Sequence, residues 1–151
     1  MRIEVDDLSG PKIAEFLAEH LAEMASITPL ESKHALPLEE LRAPEVTFWS
    51  AWDDDRLVGC AALKRLDPTH AEVKSMRTAR DRRRGGVGSR LLAHLIEEAR
   101  RRGFRRLSLE TGSDDFFASA RALYAKFGFT ECEPFADYRP DPLSVFLTRE
   151  L

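Results

Sequence analysis

Cysteine is scarce in the sequence, and no pattern of metal ligands accompanies it. Only Cys60 and Cys132 occur among 151 residues, and neither stands in a CxxC pair or at ligand spacing from one of the four histidines. Zinc sites require such spacing, and small disulfide-stabilised secreted folds require more cysteines. We therefore expect two thiols in the core, no metal site and a reducing cytoplasm as the location.

Long apolar runs and an excess of positive charge are absent too. No run of about 18 apolar residues occurs, and the first residues, MRIEVDDLSG, lack the apolar stretch of a secretory signal. The formal net charge is -3, whereas dedicated nucleic-acid binders normally carry a basic surface that displaces counterions from phosphate. The sequence thus predicts neither a membrane nor a nucleic-acid partner.

What the sequence does contain is the composition of one ordinary soluble domain. Hydrophobic residues make up 43% of the chain and charged residues 32%. A chain of 151 residues can bury one apolar core without metal or disulfide support. Because no internal repeat, low-complexity tract or linker interrupts the sequence, we predict a single domain over residues 1–151.

The spacing of apolar residues predicts strands that alternate with helices. Helical spacing covers the segments 11–24, 87–102 and 113–127, and a short helical turn is predicted at 38–41. Strand-like alternation covers the segments 2–5, 46–52, 57–66, 70–78, 104–110, 129–133 and 144–148. This order predicts an α/β (α+β) fold, in which a mixed sheet of about seven strands has helices on both faces.

A glycine-rich segment joins the fourth predicted strand to the following helix. Residues 82–89 read RRRGGVGS. A helix N-terminus presents unpaired backbone N–H groups and the positive end of the helix dipole, which together favour phosphate. Gly86 and Gly88 would let a diphosphate approach the backbone, and the adjacent arginines add positive charge. We therefore predict a local anion site in this segment.

Spacing separates three kinds of phosphate-binding loop. A P-loop would end in GK[ST], which is absent, and a dinucleotide-binding loop would carry a third glycine where Leu91 stands. The remaining pattern, [QR]xxGx[GA], is met by Arg83, Gly86 and Gly88. Taken alone, this motif is explained equally well by a charged turn that glycine terminates.

A second motif lies one strand and one helix further along the chain. Residues 123–129 read LYAKFGF and match the pattern LYxxxGF. Together with the glycine-rich segment, this element resembles the two hallmarks of the GNAT superfamily of N-acetyltransferases. The resemblance covers essentially the whole chain, and segments such as FWSAW and LSLETGS look like the bacterial YsnE-like group. It implies a GNAT-like, mostly antiparallel sheet and transfer of an acetyl group from acetyl-CoA to a primary amine of a small molecule, by direct attack in a ternary complex.

Similarity to the family also implies where acetyl-CoA lies. The strands that end at Thr78 and Glu110 are expected to splay apart, so that backbone groups pair with the pantetheine arm as an added strand would. The diphosphate is expected on the loop amides. The cofactor-binding residues implied in this way are Met76, Arg77, Thr78, Arg83, Arg84, Gly85, Gly86, Val87, Gly88, Ser89, Ala120 and Tyr124. Ordinary sheet pairing remains the alternative for the strand residues.

One position departs from the family pattern. Many members carry an asparagine seven residues before the tyrosine, where it helps to hold the cofactor, but Phe117 stands there in this sequence. Ser113 or Ser119 is the nearby residue that would replace that contact.

Acetyl transfer needs an acid for the departing thiolate and a base for the amine proton. By resemblance, the Tyr124 hydroxyl lies near the sulfur of CoA and serves as the acid, although a tyrosine that simply fills the core is the alternative. Because an alkylamine has a pKa near that of lysine, about 10, a base is required. Glu72 is the first candidate and Glu110 the second, and each is otherwise a solvated strand residue or a partner of Lys74.

The acceptor is expected to meet two loops, at 26–44 and 134–143, and the strand beside them. The candidate substrate-binding residues are Lys33, His34, Lys74, Tyr138 and Arg139. For each of them a solvated side chain is the alternative. A small amine that carries an acidic group is the acceptor that these residues suggest.

Three other functions stay open. They are acetylation of a protein N-terminus or lysine, acyl-CoA sensing without turnover, and nucleic-acid binding through the arginines at 80–84 and 100–106. The last lacks interleaved aromatic residues on which bases could stack. The family resemblance further allows a homodimer.

Overall fold

The computed structural model describes residues 1–27, 38–82 and 85–151. The described strands are β1 Arg2–Val5, β2 Val46–Asp53, β3 Arg56–Asp67, β4 His70–Thr78, β5 Arg106–Gly112, β6 Thr130–Glu131 and β7 Ser144–Glu150. The described α-helices are α1 Pro11–Ile27, α2 Leu38–Leu41, α3 Val87–Arg101 and α4 Ala118–Lys126. Two short 3-10 turns lie at Arg80–Arg82 and Asp115–Phe117.

The strands form one sheet in the order β1-β2-β3-β4-β5-β7-β6. Neighbouring strands are antiparallel except for β4 and β5, which run parallel. The prediction of a mixed, mostly antiparallel sheet of about seven strands is thereby confirmed. The one parallel contact is possible because α3 carries the chain back across the sheet between β4 and β5.

Helices cover both faces of this sheet, as predicted. On one face, α3 contributes Leu91, Leu92 and Leu95, which are fully buried against the strands. Each such leucine stabilises the fold by about 1.5–3 kcal/mol through removal of apolar surface from water. On the other face, α1 contributes Ile13 and Phe16 to a second apolar cluster that also contains Leu41 of α2. We refer to the side of the sheet covered by α3 as the α3 face, and to the side covered by α1 as the α1 face.

A bulge in β4 changes which side chains reach each face. Cys60 pairs with Arg77 and Ala62 pairs with Lys74, so two residues of β4 oppose one residue of β3. Ser75 lies in the bulge with φ 52, and its carbonyl accepts a hydrogen bond from the Cys60 thiol at 3.3 Å. A bulge of this kind shifts the strand alternation by one residue. Residues before and after Ser75 therefore follow different alternation patterns.

The parallel contact between β4 and β5 is short. It consists of the pairs His70↔Arg106, Ala71↔Leu107 and Glu72↔Ser108. Beyond Glu72 and Ser108 the two strands no longer pair, although β4 continues to Thr78 and β5 to Gly112. The expected splaying is therefore present, and it leaves backbone N–H and C=O groups along the gap available to another partner.

Several predicted boundaries were wrong by a few residues near β5 and α4. The strand predicted at 104–110 begins instead at Arg106, because Gly103 has φ 87 and the Phe104 N–H still donates to the Ala99 carbonyl of α3. The helix predicted at 113–127 is divided, since the Asp114 carboxylate accepts from the Phe116 N–H and starts a separate 3-10 turn. The strand predicted at 129–133 is limited to Thr130–Glu131.

Gly59 of β3 allows α3 to approach the sheet closely. A Cβ at this position would lie 2.8 Å from Leu91 Cδ1 and 2.9 Å from Val87 Cγ1. We expect Gly59→Ala to destabilise the protein by about 1–3 kcal/mol, because a methyl group must displace α3. Denaturant unfolding measures the change. Gly10→Ala, whose added Cβ would meet nothing within 4 Å, is the control and should stay within about 0.5 kcal/mol. Equal stability of Gly59→Ala and wild type would contradict the proposed contact.

Candidate active site

The N-terminus of α3 presents free backbone donors at the predicted anion site. The helix begins at Val87, and Gly86 before it has φ 85, a conformation that glycine adopts without strain. The first hydrogen bond of the helix runs from the Arg90 N–H to the Gly86 carbonyl at 3.1 Å. The N–H groups of the first turn have no acceptor within the helix, and the helix dipole makes this end positive. These properties suit an anionic group.

Gly88 lies where three elements converge. A Cβ on Gly88 would lie 3.1 Å from Leu123 Cδ2 of α4, 3.5 Å from Thr78 Oγ1 and 3.8 Å from Met76 Cε of β4. Any larger residue would therefore push apart the loop, the end of β4 and α4. The structure brings these predicted cofactor-binding residues together, and the predicted residues Ala120 and Tyr124 lie on α4 beside Leu123.

Arg77 differs from its neighbours on β4. Its side chain lies on the α1 face, where it contacts His20 Nδ1 at 3.2 Å and donates to Glu23 at 3.4 Å. The guanidinium also lies 5.2 Å from the centre of the Phe16 ring. Among the described residues, the hydrogen bonds of the Arg77 side chain thus go to α1 and not to the glycine loop, so a role in the predicted cofactor site would fall to its backbone.

Some predicted residues fall outside the description. Arg83 and Arg84 of the loop, and Lys33 and His34 of the first variable loop, lie outside the described residues.

Arg139 is exposed on the late loop, the segment 132–143 between β6 and β7. Gly85 donates its N–H to the Arg82 carbonyl at 3.0 Å, which closes the turn before α3.

Tyr124 is buried on α4, with 7% of its surface exposed. Its ring lies edge-on to Phe129, with the centroids 5.8 Å apart. Burial raises the pKa of the hydroxyl to about 12, with a smaller contribution from the nearby Glu110 charge. Among the described residues, none forms a hydrogen bond with this hydroxyl. The phenol therefore keeps its proton at neutral pH and has no competing acceptor in that part of the chain.

Glu110 lies on β5 beyond its last pair with β4, on the edge of the gap. Burial raises the pKa of this carboxyl to about 7, and the Ser144 hydroxyl and the Lys74 ammonium partly oppose the shift. The charges of Glu72 and Asp141 raise the pKa further. A carboxyl with a pKa near 7 exists in both forms at neutral pH, so it can accept a proton and release it.

Glu72 and Lys74 form a buried ion pair on β4. Glu72 is 3% exposed and Lys74 is 9% exposed, and the ammonium lies 3.3 Å from Glu72 Oε2. The hydroxyl of Tyr138, from the late loop, donates to Glu72 Oε2 at 2.5 Å and accepts from Lys74 Nζ at 2.8 Å. The structure thus brings together three predicted site residues. It also shows Glu72 paired with Lys74, which was one of the alternatives that the sequence left open.

Aromatic rings hold the late loop against the sheet. Tyr138 packs against Phe135 with centroids 5.2 Å apart and against Phe146 of β7 at 5.4 Å. Phe135 also contacts the ring of His70 at 5.9 Å. His70 in turn shares a 2.6 Å hydrogen bond with Ser108, the partner of Glu72 across the β4–β5 contact. The late loop is consequently anchored at the gap.

Sequence reasoning missed the role of Gly112. The ring of Phe117 lies only 2.2 Å from the position that a Gly112 Cβ would occupy, so the phenylalanine at the family's asparagine position needs glycine beside it. Ser113 is not free to replace the asparagine, because its hydroxyl donates to the Pro142 carbonyl at 2.8 Å. Ser119 is exposed. The contact between Ser113 and Pro142 has no signal in a single sequence, because it joins residues 29 positions apart. Gly112 and Phe117 are close in sequence, but their contact depends on the 3-10 turn at Asp115–Phe117, which the sequence analysis did not predict.

The described residues lack two features. No group of three or more histidine, cysteine, aspartate or glutamate side chains there is arranged to hold a metal ion. No helix in the same part of the chain has the length and apolar character needed to cross a membrane.

Known proteins with a similar sequence settle the family. The acetyltransferase (GNAT) family matches residues 13–129. The chain belongs to the GNAT family. It is 56% identical over 151 residues, or 100% of both chains, to the uncharacterized N-acetyltransferase YsnE of Bacillus subtilis (strain 168). It is 39% identical over 129 residues to the IAA acetyltransferase of Azospirillum brasilense, covering 85% of this chain and 83% of that protein. As a GNAT protein it is an acyltransferase, with N-acetyltransferases among its relatives.

Solved GNAT structures share its fold. A candidate acyl-CoA N-acyltransferase from Klebsiella pneumoniae superposes with a TM-score of 0.80 at 28% identity, covering 99% of this chain and 97% of that one. An aminoglycoside 6'-N-acetyltransferase complexed with coenzyme A has a TM-score of 0.73 at 19% identity, with the same coverage of 99% and 97%. At that identity, the second likeness shows the fold alone.

The raised pKa of Glu110 predicts a pH-dependent stability. Its folded-state value of about 7 exceeds the ordinary 4.5, so the stabilising effect of its protonation is complete at low pH and is lost as pH rises toward 7. Relative to wild type, Glu110→Gln should therefore raise Tm more at about pH 8 than at about pH 5.

Thermal unfolding at both pH values measures this difference. Glu97→Gln on α3, where 75% of the glutamate side chain is exposed, is the control and should match the wild type at each pH. A difference between Glu110→Gln and wild type that does not change with pH would count against a buried, proton-retaining Glu110.

Proposed function

We propose that this GNAT enzyme transfers an acetyl group from acetyl-CoA to the primary amine of a small molecule, by direct attack in a ternary complex. The observation that carries the proposal is the convergence at Gly88 of the α3 N-terminus, the free edge of β4 and the helix that bears Tyr124. A diphosphate, an extended arm and a reactive thioester belong to one CoA molecule and need neighbouring sites of these three kinds.

The residues present fit acetyl-CoA, which the GNAT family uses as cosubstrate. Among the described residues, no atom lies within 4 Å of the position of a Cβ on Gly86, which leaves room for a diphosphate beside this backbone. The N–H groups of Val87, Gly88 and Ser89 would donate to it. The parting of β4 and β5 exposes backbone near Met76 and Thr78, which would hold the pantetheine arm as an added strand.

Acid and base groups lie near the gap. Bound acetyl-CoA supplies the thioester, whose acetyl carbon forms a bond to the amine nitrogen while the bond to sulfur breaks. Tyr124, which holds its proton at neutral pH, would donate that proton to the departing sulfur. Glu72 or Glu110 would take the proton that the amine nitrogen loses. Val73 and Leu109, the strand neighbours of Glu72 and Glu110, lie on the α3 face. Because successive strand residues point to opposite faces, both carboxyls lie on the α1 face, which supports approach of the amine from that side.

Elements on the α1 face would enclose the acceptor. An apolar pocket of about 200 Å³ lies between α1 and β4, with Leu17, Leu21 and Ser75 in its lining. The late loop anchored by Tyr138 borders the gap. These dimensions support a small acceptor. Lys74 already contacts Glu72 and Tyr138. Of the predicted substrate-binding residues that the structure describes, the exposed Arg139 on the late loop is therefore the better candidate to bind an acidic group of the acceptor.

The deciding experiment incubates purified protein with acetyl-CoA and a broad panel of amines. Release of CoA that depends on one of the small amines, together with the acetylated product by mass spectrometry, is the expected result. Faster acetylation of neutral peptides than of amino acids or aryl amines would contradict a small-molecule acceptor. Absence of any amine-dependent CoA release would contradict the catalytic function.

Tyr124→Phe tests the acid. The variant keeps the ring that packs on Phe129 but loses the donor, so we expect turnover to fall by ~10²- to 10⁴-fold. Affinity for CoA, measured by calorimetry, should stay nearly the same. Unchanged turnover would remove Tyr124 from the mechanism.

Gly88→Val tests the coenzyme cradle. Its side chain would meet Leu123 and Thr78 and would obstruct the first turn of α3. We expect the Kd for CoA to rise by about tenfold or more, equivalent to about 1.4 kcal/mol. Ala93→Val, on the exposed side of the same helix, is the matched control and should bind CoA like the wild type. Equal affinity of Gly88→Val and wild type would contradict a diphosphate site at this turn.

A further inference from the structure

We propose that Glu110 is the base that takes the proton from the amine. Glu72 and Lys74, bridged by Tyr138, form a positioning network whose two charges set the electrostatic environment of the Glu110 carboxyl. This inference rests on the proposed function, because it assigns the proton that the amine loses in that reaction. It reverses the order that the sequence suggested for the base, in which Glu72 is the first candidate and Glu110 the second.

The directions of the hydrogen bonds in the network follow from its chemistry. A lysine ammonium can only donate and a carboxylate can only accept, so a hydroxyl between them must accept from Lys74 and donate to Glu72. The observed distances of 2.8 Å and 2.5 Å fit this arrangement. Glu72 Oε2 accepts from Tyr138 and also faces the Lys74 ammonium at 3.3 Å. The three groups satisfy one another.

Glu72 already has two partners. Its charge is matched by Lys74 at a position where only 3% and 9% of the two residues are exposed, and its Oε2 accepts from the Tyr138 hydroxyl. Loss of either charge would leave the other buried without its counter-ion, which is strongly unfavourable. An incoming amine would have to displace one of these partners to reach Oε2. The pair is consistent with a fixed charge arrangement.

Glu110 has the opposite environment. It lies across the gap from the ion pair, two residues beyond Ser108, the last residue of β5 that pairs with β4. The charged or polar groups around it are Glu72 and Lys74 on β4, Tyr138 and Asp141 on the late loop, Ser144 on β7 and Tyr124 on α4. Its pKa of about 7 is raised by the Glu72 charge and lowered by the Lys74 charge, in addition to the larger effect of burial.

Tyr138 links this charge arrangement to the position of the late loop. Its ring packs against Phe135 and Phe146, and its hydroxyl bridges Lys74 and Glu72. The loop and the ion pair are therefore held by the same side chain, and the loop stands at the gap when the pair is complete.

A matched pair of variants tests the network through the pH dependence of kcat/KM. Glu72→Gln removes a negative charge near Glu110 and Lys74→Gln removes a positive one. Glu72→Gln should move the acid limb of the profile to lower pH and Lys74→Gln should move it to higher pH, each by on the order of one pH unit. Glu110→Gln should lose that limb together with ~10²- to 10⁴-fold in rate. If Glu72→Gln loses the limb and Glu110→Gln keeps it, Glu72 is the base and the proposal is overturned.

A second variant covers the chance that one uncompensated charge prevents folding. The double variant Glu72→Gln/Lys74→Gln leaves no unpaired charge at the bridge, and we expect its pH profile to keep an acid limb because Glu110 is still present. Loss of that limb in the double variant with unchanged CoA affinity would overturn the proposal. Tyr138→Phe keeps the ring and removes the bridge, so it should shift the same limb without altering CoA affinity. An unshifted limb would contradict the assignment of Tyr138.

Failure of the inference and failure of the proposed function give different results. Wild-type protein that releases no CoA with any amine would count against the function itself. Active wild-type enzyme with unshifted limbs in both single variants would count against the network alone. Carbon-13 titration of the Glu110 carboxyl, followed by NMR in the same variants, adds a readout that is independent of turnover and should show the same opposite shifts.

Discussion

The proposed site depends on one feature of the sheet, which is that β4 and β5 stop pairing well before either strand ends. Three residue pairs join the strands, and beyond Glu72 and Ser108 their backbones separate while each remains extended. Backbone N–H and C=O groups that lack a strand partner are available to another partner. The gap, the glycine turn at Gly88 and the buried Tyr124 are the three features on which the proposed coenzyme site rests.

The bulge at Ser75 then separates two chemistries on one strand. Before the bulge, Glu72 and Lys74 alternate with the α3-face residue Val73, whereas after it Met76 lies on the α3 face and Arg77 on the α1 face. Without the extra residue, Met76 would share the face of Glu72. The carboxylate–ammonium pair and the end of β4 that faces the glycine turn accordingly present their side chains on opposite faces of the sheet.

Local patterns could be predicted from the sequence, and contacts distant in sequence could not. The bounds of β4 and the start of α3 at Val87 follow from strong periodicity and from the glycines before the helix. The bulge could not be predicted, because a serine with positive φ has no signature of its own. The bond between Tyr138 and Glu72 joins residues 66 positions apart. Periodicity can place each on its element, but it carries no information on their pairing.

The two thiols differ in a way that has a practical consequence. Cys60 is fully buried in the core as expected, and burial raises its pKa to about 12, whereas Cys132 is only partly buried where the late loop begins. Burial raises the pKa of the Cys132 thiol as well, but this side chain is the more accessible of the two, so Cys132 is the preferred attachment point for a fluorophore or spin label at a pH where it forms thiolate. A single reporter placed there without mutagenesis would follow the late loop directly while acceptor and coenzyme bind.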